Sequence, residues 1–166
     1  MWFSRFRVWV PAVLLGALIN VSSAELAGTA APDFVLKSVE GRNLRLSEYR
    51  GQVVLLGFWA SYCGECRSQL EGLGELYSRY EGAGFELLTI NLDRQLVQAS
   101  DAADAMKIGF PVLHDVGGSV GEQYDVQSMP YLLLIDRDGI VRDEFEGYRD
   151  GYEEQYLERV RALLAE

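Results

Sequence analysis

The sequence predicts an α/β fold in which a central mixed β-sheet is flanked by helices. Residues 53–59, with the sequence VVLLGFW, form a continuous apolar run typical of a strand buried on both faces. Apolar residues from Leu70 to Tyr80 then recur at three- and four-residue spacing, as on one face of a helix. Strand-like and helical segments alternate along the rest of the chain. A turn at residues 136–139 joins two strand-like segments as a hairpin, so the sheet is expected to be mixed rather than all parallel.

The individual elements follow from local patterns along the chain. Residues 31–36 predict a short strand, residues 39–42 a turn, and residues 43–46 the returning segment of an N-terminal β-hairpin extension. A single helical turn at 47–49 separates this hairpin from the buried strand, and a pair of glycines ends the first long helix. The remaining expected elements are strands at 85–92, 110–113, 131–135 and 140–145, and helices at 95–106 and 152–164.

Composition and charge exclude several classes of protein. The chain has 166 residues and a formal charge of −10, from 25 acidic and 15 basic residues. This length suits one domain together with a targeting segment. An acidic surface without a local cluster of lysine and arginine repels a phosphate backbone, so we expect no nucleic acid partner. Two cysteines and one histidine cannot fill a closed structural zinc site, and we expect no bound metal.

The start of the chain has the pattern of a secretory signal peptide. Two arginines precede an apolar run at residues 8–19, and the small residues Ser22 and Ala24 form a cleavage pattern. We therefore expect residues 1–24 to be removed and residues 25–166 to form a single domain in the periplasm.

The alternative is an uncleaved membrane anchor. A helix over residues 8–19 would rise about 18 Å, which is short of the ~30 Å hydrocarbon core of a bilayer. Pro11 also interrupts the apolar run. Both features favour cleavage over anchoring.

Two cysteines carry the chemistry that the sequence indicates. Cys63 and Cys66 directly follow the strand at residues 53–59 and open the next helix. Across one helical turn their Cα atoms would lie about 5–6 Å apart, a separation that a disulfide spans. At the helix N-terminus the pKa of the Cys63 thiol is expected to be lowered, which makes Cys63 the attacking thiol. Cys66, one turn further in, is expected to resolve the mixed disulfide.

A static structural disulfide is the alternative for this pair. A loop closed over so few residues contributes little loop-closure entropy, so stability alone is a poor reason for the pairing. The spacing therefore favours a redox function.

The segment around the cysteines resembles the active-site segment of the thioredoxin superfamily. It reads FWASYCGECR at residues 58–67. Three further segments are similar to the exported TlpA/ResA-like branch, namely APDF at 31–34, LSEYRG at 46–51 and MPYLLLIDRDG at 129–139. The resemblance implies a thioredoxin-like three-layer fold and a redox-active Cys63–Cys66 disulfide with no other cofactor. It also implies protein disulfides as substrates and a membrane thiol/disulfide electron donor, and we expect a monomer.

The same resemblance implies how a substrate would dock. It implies a cis peptide bond between Met129 and Pro130 that faces the cysteine pair. This geometry would leave the backbone groups of Met129 unpaired, so that a substrate strand could add there. An apolar docking surface would then be lined by Trp59, Tyr62, Met129 and Pro130. For Trp59, packing in the core is the alternative.

The chain departs from the family pattern at positions that matter for proton transfer. Gly57 stands where thioredoxins carry a buried Asp, and Gln69 stands where the TlpA/ResA-like branch often has Glu. An amide cannot take a proton, so the proton acceptor for Cys66 is unassigned. Glu65 is the nearest candidate in the sequence. Its carboxylate is also expected to raise the pKa of the Cys63 thiol by charge repulsion, which would make the dithiol a stronger reductant.

Three functions stay open from the sequence. The leading one is an extracytoplasmic reductase of protein disulfides, for which cytochrome c maturation is one suitable role. The second is an oxidase that donates its disulfide, because the surroundings of a CxxC pair can tune its potential either way. The third is a copper-handling assembly chaperone that would use both thiols and His114. Such chaperones with this fold usually separate their cysteines by three residues, whereas this chain separates them by two.

Overall fold

The computed structural model describes residues 26–166. The predicted signal peptide and its cleavage site lie outside these residues. Within residues 26–166, no helix combines the length and the apolar composition needed to cross a bilayer.

Residues 26–166 contain seven strands, which form one mixed sheet, as predicted. They are β1 (Val35–Ser38), β2 (Asn43–Arg45), β3 (Val53–Trp59), β4 (Phe85–Asn91), β5 (Val112–His114), β6 (Tyr131–Ile135) and β7 (Val141–Glu146). Their order in the sheet is β2-β1-β5-β4-β3-β6-β7. β3, β4 and β5 run parallel, and the other neighbouring strands pair antiparallel. The pairing of β1 with β2 confirms the N-terminal hairpin.

Helices cover both faces of this sheet. They are a 3₁₀ helix (Leu46–Tyr49), α1 (Gly64–Tyr80), α2 (Leu96–Met106), α3 (Ser119–Gln123) and α4 (Tyr152–Leu164). α1, α2 and α4 contribute to the core on one face, while the 3₁₀ helix, α3 and the segment before β1 contribute to the core on the other. α3 was absent from the sequence prediction because its five residues are too few to display a helical period.

β3 is buried along its whole length, as its apolar run predicts. Leu55 and Trp59 pack in the core on the α1 side, and Leu56 and Phe58 pack in the core on the opposite side. Successive side chains of a strand point to opposite faces, so a strand covered on both faces has to be apolar throughout. β3 lies between β4 and β6, so its carboxyl end, which leads into α1, is in the interior of the sheet rather than at an edge.

Two strands are shifted along the chain from their predicted positions. β1 runs from Val35 to Ser38 instead of over residues 31–36, and β5 runs from Val112 to His114 instead of over residues 110–113. The physical reason is the pairing of these strands with each other, since Lys37 lies opposite His114 and Ser38 lies opposite Leu113. Polar residues that look like loop residues in the sequence thus join a ladder of backbone hydrogen bonds.

Candidate active site

The cysteine pair lies where β3 gives way to α1, as the sequence indicates. β3 ends at Trp59, and α1 begins at Gly64 after a short turn. Cys63 is the N-cap residue of α1, with φ −87° and ψ 107°, so its backbone is extended while the next residue is already helical. The first turn of a helix has backbone N–H groups without intrahelical partners, and one of these groups is available to the Cys63 side chain.

Cys63 and Cys66 are joined by a disulfide, with their Cα atoms 5.3 Å apart. The Cys63 sulfur accepts a hydrogen bond from the backbone N–H of Cys66, at 3.1 Å. Cys66 is only 1% exposed, whereas Cys63 is partly exposed. The two sulfurs therefore differ in access. An incoming thiolate or disulfide can reach Cys63, and it cannot reach Cys66 without movement of the protein.

The turn before Cys63 is held by one hydrogen bond of its own and by two hydrogen bonds to the loop that follows β4. The N–H of Cys63 donates to the carbonyl of Ala60 at 3.1 Å. The N–H and the hydroxyl of Ser61 both donate to the carboxylate of Asp93, each at 2.9 Å. Sequence reasoning missed Asp93. The signal that could have found it is its position just after β4, because β4 runs parallel to β3 and their carboxyl ends share one edge of the sheet.

The peptide bond between Met129 and Pro130 is cis, which confirms the expectation from the family resemblance. β6 pairs antiparallel with β3, and Tyr131 lies opposite Phe58. This register brings Pro130 beside the end of β3 at Trp59, next to the cysteine turn. Within residues 26–166 the backbone N–H and carbonyl of Met129 make no backbone hydrogen bond. Met129 is half-buried and Pro130 is buried.

The residues expected to form the docking surface differ in exposure. Tyr62 is 74% exposed, so its ring is available to a partner. Trp59 is 1% exposed and belongs to the core on the α1 side. This burial favours core packing over substrate contact for Trp59. The accessible apolar surface beside the disulfide is therefore supplied by Tyr62 and the exposed part of Met129.

Gln69, which stands where the TlpA/ResA-like branch often has Glu, forms a neutral hydrogen-bonded pair with Tyr156. Gln69 is 2% exposed, and its side-chain amide donates to the hydroxyl of Tyr156 at 3.0 Å. Burial raises the pKa of Tyr156 to about 12. Neither group changes its charge near neutral pH, so this pair supplies no proton acceptor for Cys66. Glu65 is exposed in the first turn of α1, where a carboxylate also interacts favourably with the helix dipole.

His114 is buried at the end of β5, and its Nε2 lies 2.7 Å from the carbonyl oxygen of Asp93. The sequence pattern ends this strand one residue earlier, at Leu113, but the pairing of β1 with β5 draws His114 into the sheet. The imidazole contacts the backbone of the neighbouring loop. This contact gives no support to a shared copper site with the cysteines.

Known proteins resemble this chain over most of its length. The model for the AhpC/TSA family matches residues 27–144. The thiol-disulfide oxidoreductase ResA of Bacillus thuringiensis subsp. konkukian is 31% identical over 164 residues, which cover 93% of this chain and 95% of that protein. The ResA protein of Geobacillus thermodenitrificans is 34% identical over 140 residues, which cover 84% of this chain and 80% of that protein.

Solved structures have the same fold. A Chlorobium tepidum protein described as a thiol:disulfide interchange protein, DsbE, superposes with a TM-score of 0.80 at 34% identity and covers 83% of this chain and 97% of its own. A Bacteroides thetaiotaomicron protein described as a protein disulfide isomerase superposes with a TM-score of 0.79 at 26% identity, covering 84% and 91% of the two chains. Since the family match spans residues 27–144 and so includes the junction that holds the disulfide, we conclude that this chain belongs to the AhpC/TSA family and is a thioredoxin-like thiol–disulfide oxidoreductase with Cys63 and Cys66 as its cysteine pair.

Proposed function

We propose that this oxidoreductase works outside the cytoplasm as a reductase of protein disulfides, with Cys63 as the attacking thiol and Cys66 as the resolving thiol. The observation that carries the proposal is the asymmetry of the pair. Cys63 is accessible and lies at the helix N-terminus, while Cys66 is buried one turn further in. The pattern of residues 1–24 supports export, and a disulfide substrate is abundant only in an oxidising compartment.

The reaction begins with the reduced protein. The Cys63 thiolate attacks one sulfur of a substrate disulfide, so that a Cys63–substrate disulfide forms and a substrate thiolate leaves and takes up a proton. The Cys66 thiol then loses its proton, and its thiolate attacks the Cys63 sulfur. This second step forms the Cys63–Cys66 disulfide and releases the second substrate thiolate, which is also protonated. The substrate gains two electrons from the two cysteines and two protons, one from the Cys66 thiol and one from the solvent, and the protein ends in the disulfide state.

The N-terminus of α1 stabilises the Cys63 thiolate, with which the reaction begins. A thiolate at Cys63 would accept the N–H of Cys66 that the disulfide sulfur already accepts at 3.1 Å. A hydrogen bond to a charged sulfur is stronger than one to a neutral sulfur, so the same contact stabilises the thiolate more than the disulfide. It lowers the pKa of the Cys63 thiol and increases the thiolate fraction at neutral pH.

A substrate strand can be held beside Cys63 by the backbone of Met129. Its N–H and carbonyl lack backbone partners within the described residues. Met129 comes just before β6, and the register of β6 against β3 places it beside the carboxyl end of β3. An extended peptide that paired there would add a short strand at this point of the sheet. The exposed ring of Tyr62 would supply apolar contact on the other side of the disulfide.

The reductase direction requires a donor of electrons. A membrane protein with its own dithiol would restore the Cys63–Cys66 dithiol by the reverse sequence of exchanges, and would itself be left as a disulfide. A suitable substrate is the oxidised Cys-X-X-Cys-His segment of a c-type apocytochrome, since haem attachment needs both thiols free. With this substrate class, the protein would act in cytochrome c maturation.

The test is the equilibrium reduction potential of the purified protein in glutathione or dithiothreitol buffers. Once residues 1–24 are removed, Trp59 is the remaining tryptophan, and its fluorescence reports the state of the nearby disulfide. A potential near that of thioredoxin, about −270 mV, supports the reductase. A potential near that of DsbA, about −120 mV, overturns it in favour of an oxidase that donates its disulfide. The mass of the protein recovered from an exporting host checks both the cleavage after residue 24 and the location.

A further inference from the structure

A buried hydrogen-bond network lies behind the cysteine turn. Asp93 is 2% exposed. Its carboxylate accepts hydrogen bonds from the N–H of Ser61 at 2.9 Å, the hydroxyl of Ser61 at 2.9 Å and the side-chain amide of Asn91 at 2.8 Å. The oxygen of the Asn91 side chain accepts the N–H of Asp93 at 2.9 Å, and the His114 ring binds the Asp93 carbonyl. Asp93 is thus held by residues of two neighbouring strands, β4 and β5, before it binds Ser61.

The turn that Asp93 binds has little packing of its own. Ser61 and Tyr62 are exposed, so the core does not fix their conformation. One backbone hydrogen bond, from Cys63 to Ala60, closes the turn. The bonds from Ser61 to Asp93 connect its backbone and its side chain to a buried loop residue that Asn91 and His114 hold in place. Two bonds to one carboxylate fix both the position and the orientation of Ser61, which lies two residues before Cys63.

We propose that Asp93 and Ser61 are positioning residues of the redox site, which hold the turn at residues 60–63 so that the Cys63 sulfur faces the N–H of Cys66. In the oxidised protein the disulfide already ties Cys63 to Cys66. In the dithiol this covalent link is gone, and the hydrogen bonds of Ser61 hold the turn in its place. They therefore stabilise the reduced protein more than the oxidised protein. The inference rests on the proposed function only in taking Cys63 as the attacking thiol, and it applies to either direction of electron transfer.

The first test compares Ser61→Ala with Ser61→Thr in the purified protein. The pH dependence of iodoacetamide alkylation gives the pKa of the reacting thiol, peptide mass identifies the alkylated cysteine, and equilibration with glutathione gives the dithiol/disulfide ratio. Ser61→Ala removes the hydroxyl bond to Asp93, so we expect a raised pKa of the Cys63 thiol. We also expect a shift of the glutathione equilibrium toward the disulfide by about two- to tenfold, the range that corresponds to one hydrogen bond. Ser61→Thr keeps the hydroxyl and is expected to restore both values.

A double-mutant cycle tests whether Asp93 acts through Ser61. Asp93→Asn removes a negative charge as well as an acceptor, and the loss of charge alone would lower the pKa of the Cys63 thiol. That charge effect is the same with or without the Ser61 hydroxyl, so it cancels in the cycle. We expect Ser61→Ala to have a clearly smaller effect in the Asp93→Asn background than in the wild type.

Asp115 offers a matched control in the next loop. It is 3% exposed, and its carboxylate accepts the backbone N–H groups of Val120 and Gly121, each at 2.9 Å, at the start of α3. Asp115→Asn therefore removes an equally buried carboxylate that does not bind the cysteine turn. We expect it to lower the stability to urea while the pKa of the Cys63 thiol and the glutathione equilibrium stay at the wild-type values.

The outcomes separate the two proposals. Three outcomes would each overturn the positioning role and leave the proposed function intact. Ser61→Ala could keep the wild-type pKa and glutathione equilibrium, or the effects in the cycle could be additive. Asp115→Asn could also shift the pKa of the Cys63 thiol and the glutathione equilibrium as much as Ser61→Ala does. Alkylation of Cys66 before Cys63 in the wild-type protein would overturn the proposed function and the positioning role together. A shift in Ser61→Ala that Ser61→Thr restores, with non-additivity in the cycle, supports the inference.

Discussion

The backbone N–H of Cys66 donates a hydrogen bond to the sulfur of Cys63, at 3.1 Å, across the first turn of α1. Cys63 is therefore the N-cap of its helix as well as one of the two cysteines of the disulfide. The donor that caps the helix is the same one that would stabilise a thiolate, so the redox state of the pair and the start of α1 are linked. Replacement of Cys63 therefore affects chemistry and helix capping together, whereas replacement of Cys66 by serine keeps the backbone donor.

We expect Cys66→Ser to trap a mixed disulfide with a peptide that carries an oxidised Cys-X-X-Cys-His segment. The accessible Cys63 can still attack, but no thiol is left to resolve the intermediate. Cys63→Ser is the matched variant and should trap no adduct, because Cys66 is buried. Non-reducing electrophoresis and intact mass measure the adduct. A Cys63→Ser adduct of comparable yield would contradict the assigned order of attack.

We expect Glu65→Gln to lower the pKa of the Cys63 thiol, because it removes a carboxylate that repels the thiolate. Glu65 is exposed, so the change should be modest and should shrink in about 1 M salt, where surface charges are screened. Glu71→Gln, at another exposed glutamate of α1, is the control and should leave the thiol unchanged. The pH profile of alkylation is the measurement. A raised or unchanged pKa in Glu65→Gln would remove the argument that this carboxylate favours the disulfide.

We expect Gln69→Glu to destabilise the protein by about 1–3 kcal/mol at neutral pH, since it places an ionisable group at a buried site. Burial raises the pKa of the new carboxyl, so the folded state binds its proton more tightly than the unfolded state does. Stability relative to the wild type should therefore be nearly intact at about pH 4 and fall as the pH rises.

The measurement is urea unfolding of this variant and of Gln98→Glu. Gln98 is an exposed glutamine of α2, so its replacement should show no such loss. An equal loss at about pH 4 and about pH 7.5 would show that shape, and not charge, accounts for the effect of Gln69→Glu.

Glu86 gives a pH dependence of the wild-type protein itself. Burial raises the pKa of this carboxyl on β4 above its usual value. A raised folded-state pKa contributes stability at low pH that is lost as the pH rises through that pKa. We expect Glu86→Gln to remove this loss, so that the variant gains stability relative to the wild type between about pH 4 and about pH 8. Glu158→Gln on the exposed face of α4 is the control, and parallel urea unfolding curves for all three proteins at both pH values would refute the expectation.

Much of the fold could be predicted because its signals are local. The apolar run of β3 and the three- and four-residue period of α1 each lie within one element, and the structure reproduces their bounds closely. The signals failed where an element depends on a distant partner. β1 and β5 lie further along the chain than their local patterns predict, because they pair with each other around residues 37 and 114. α3 is held by the Asp115 carboxylate and is too short to show a period.

The sequence by itself determined the chemistry of this protein, because a strand, two cysteines at helical spacing and a helix follow one another within a few residues. Local geometry then places one sulfur at the helix N-terminus. Only the tertiary structure decided what surrounds that pair. Ser61 and Asp93 are 32 residues apart in the chain, and Gln69 and Tyr156 are 87 apart. Such contacts arise from the order of strands and the packing of α1 on α4, and no pattern within a single segment encodes them.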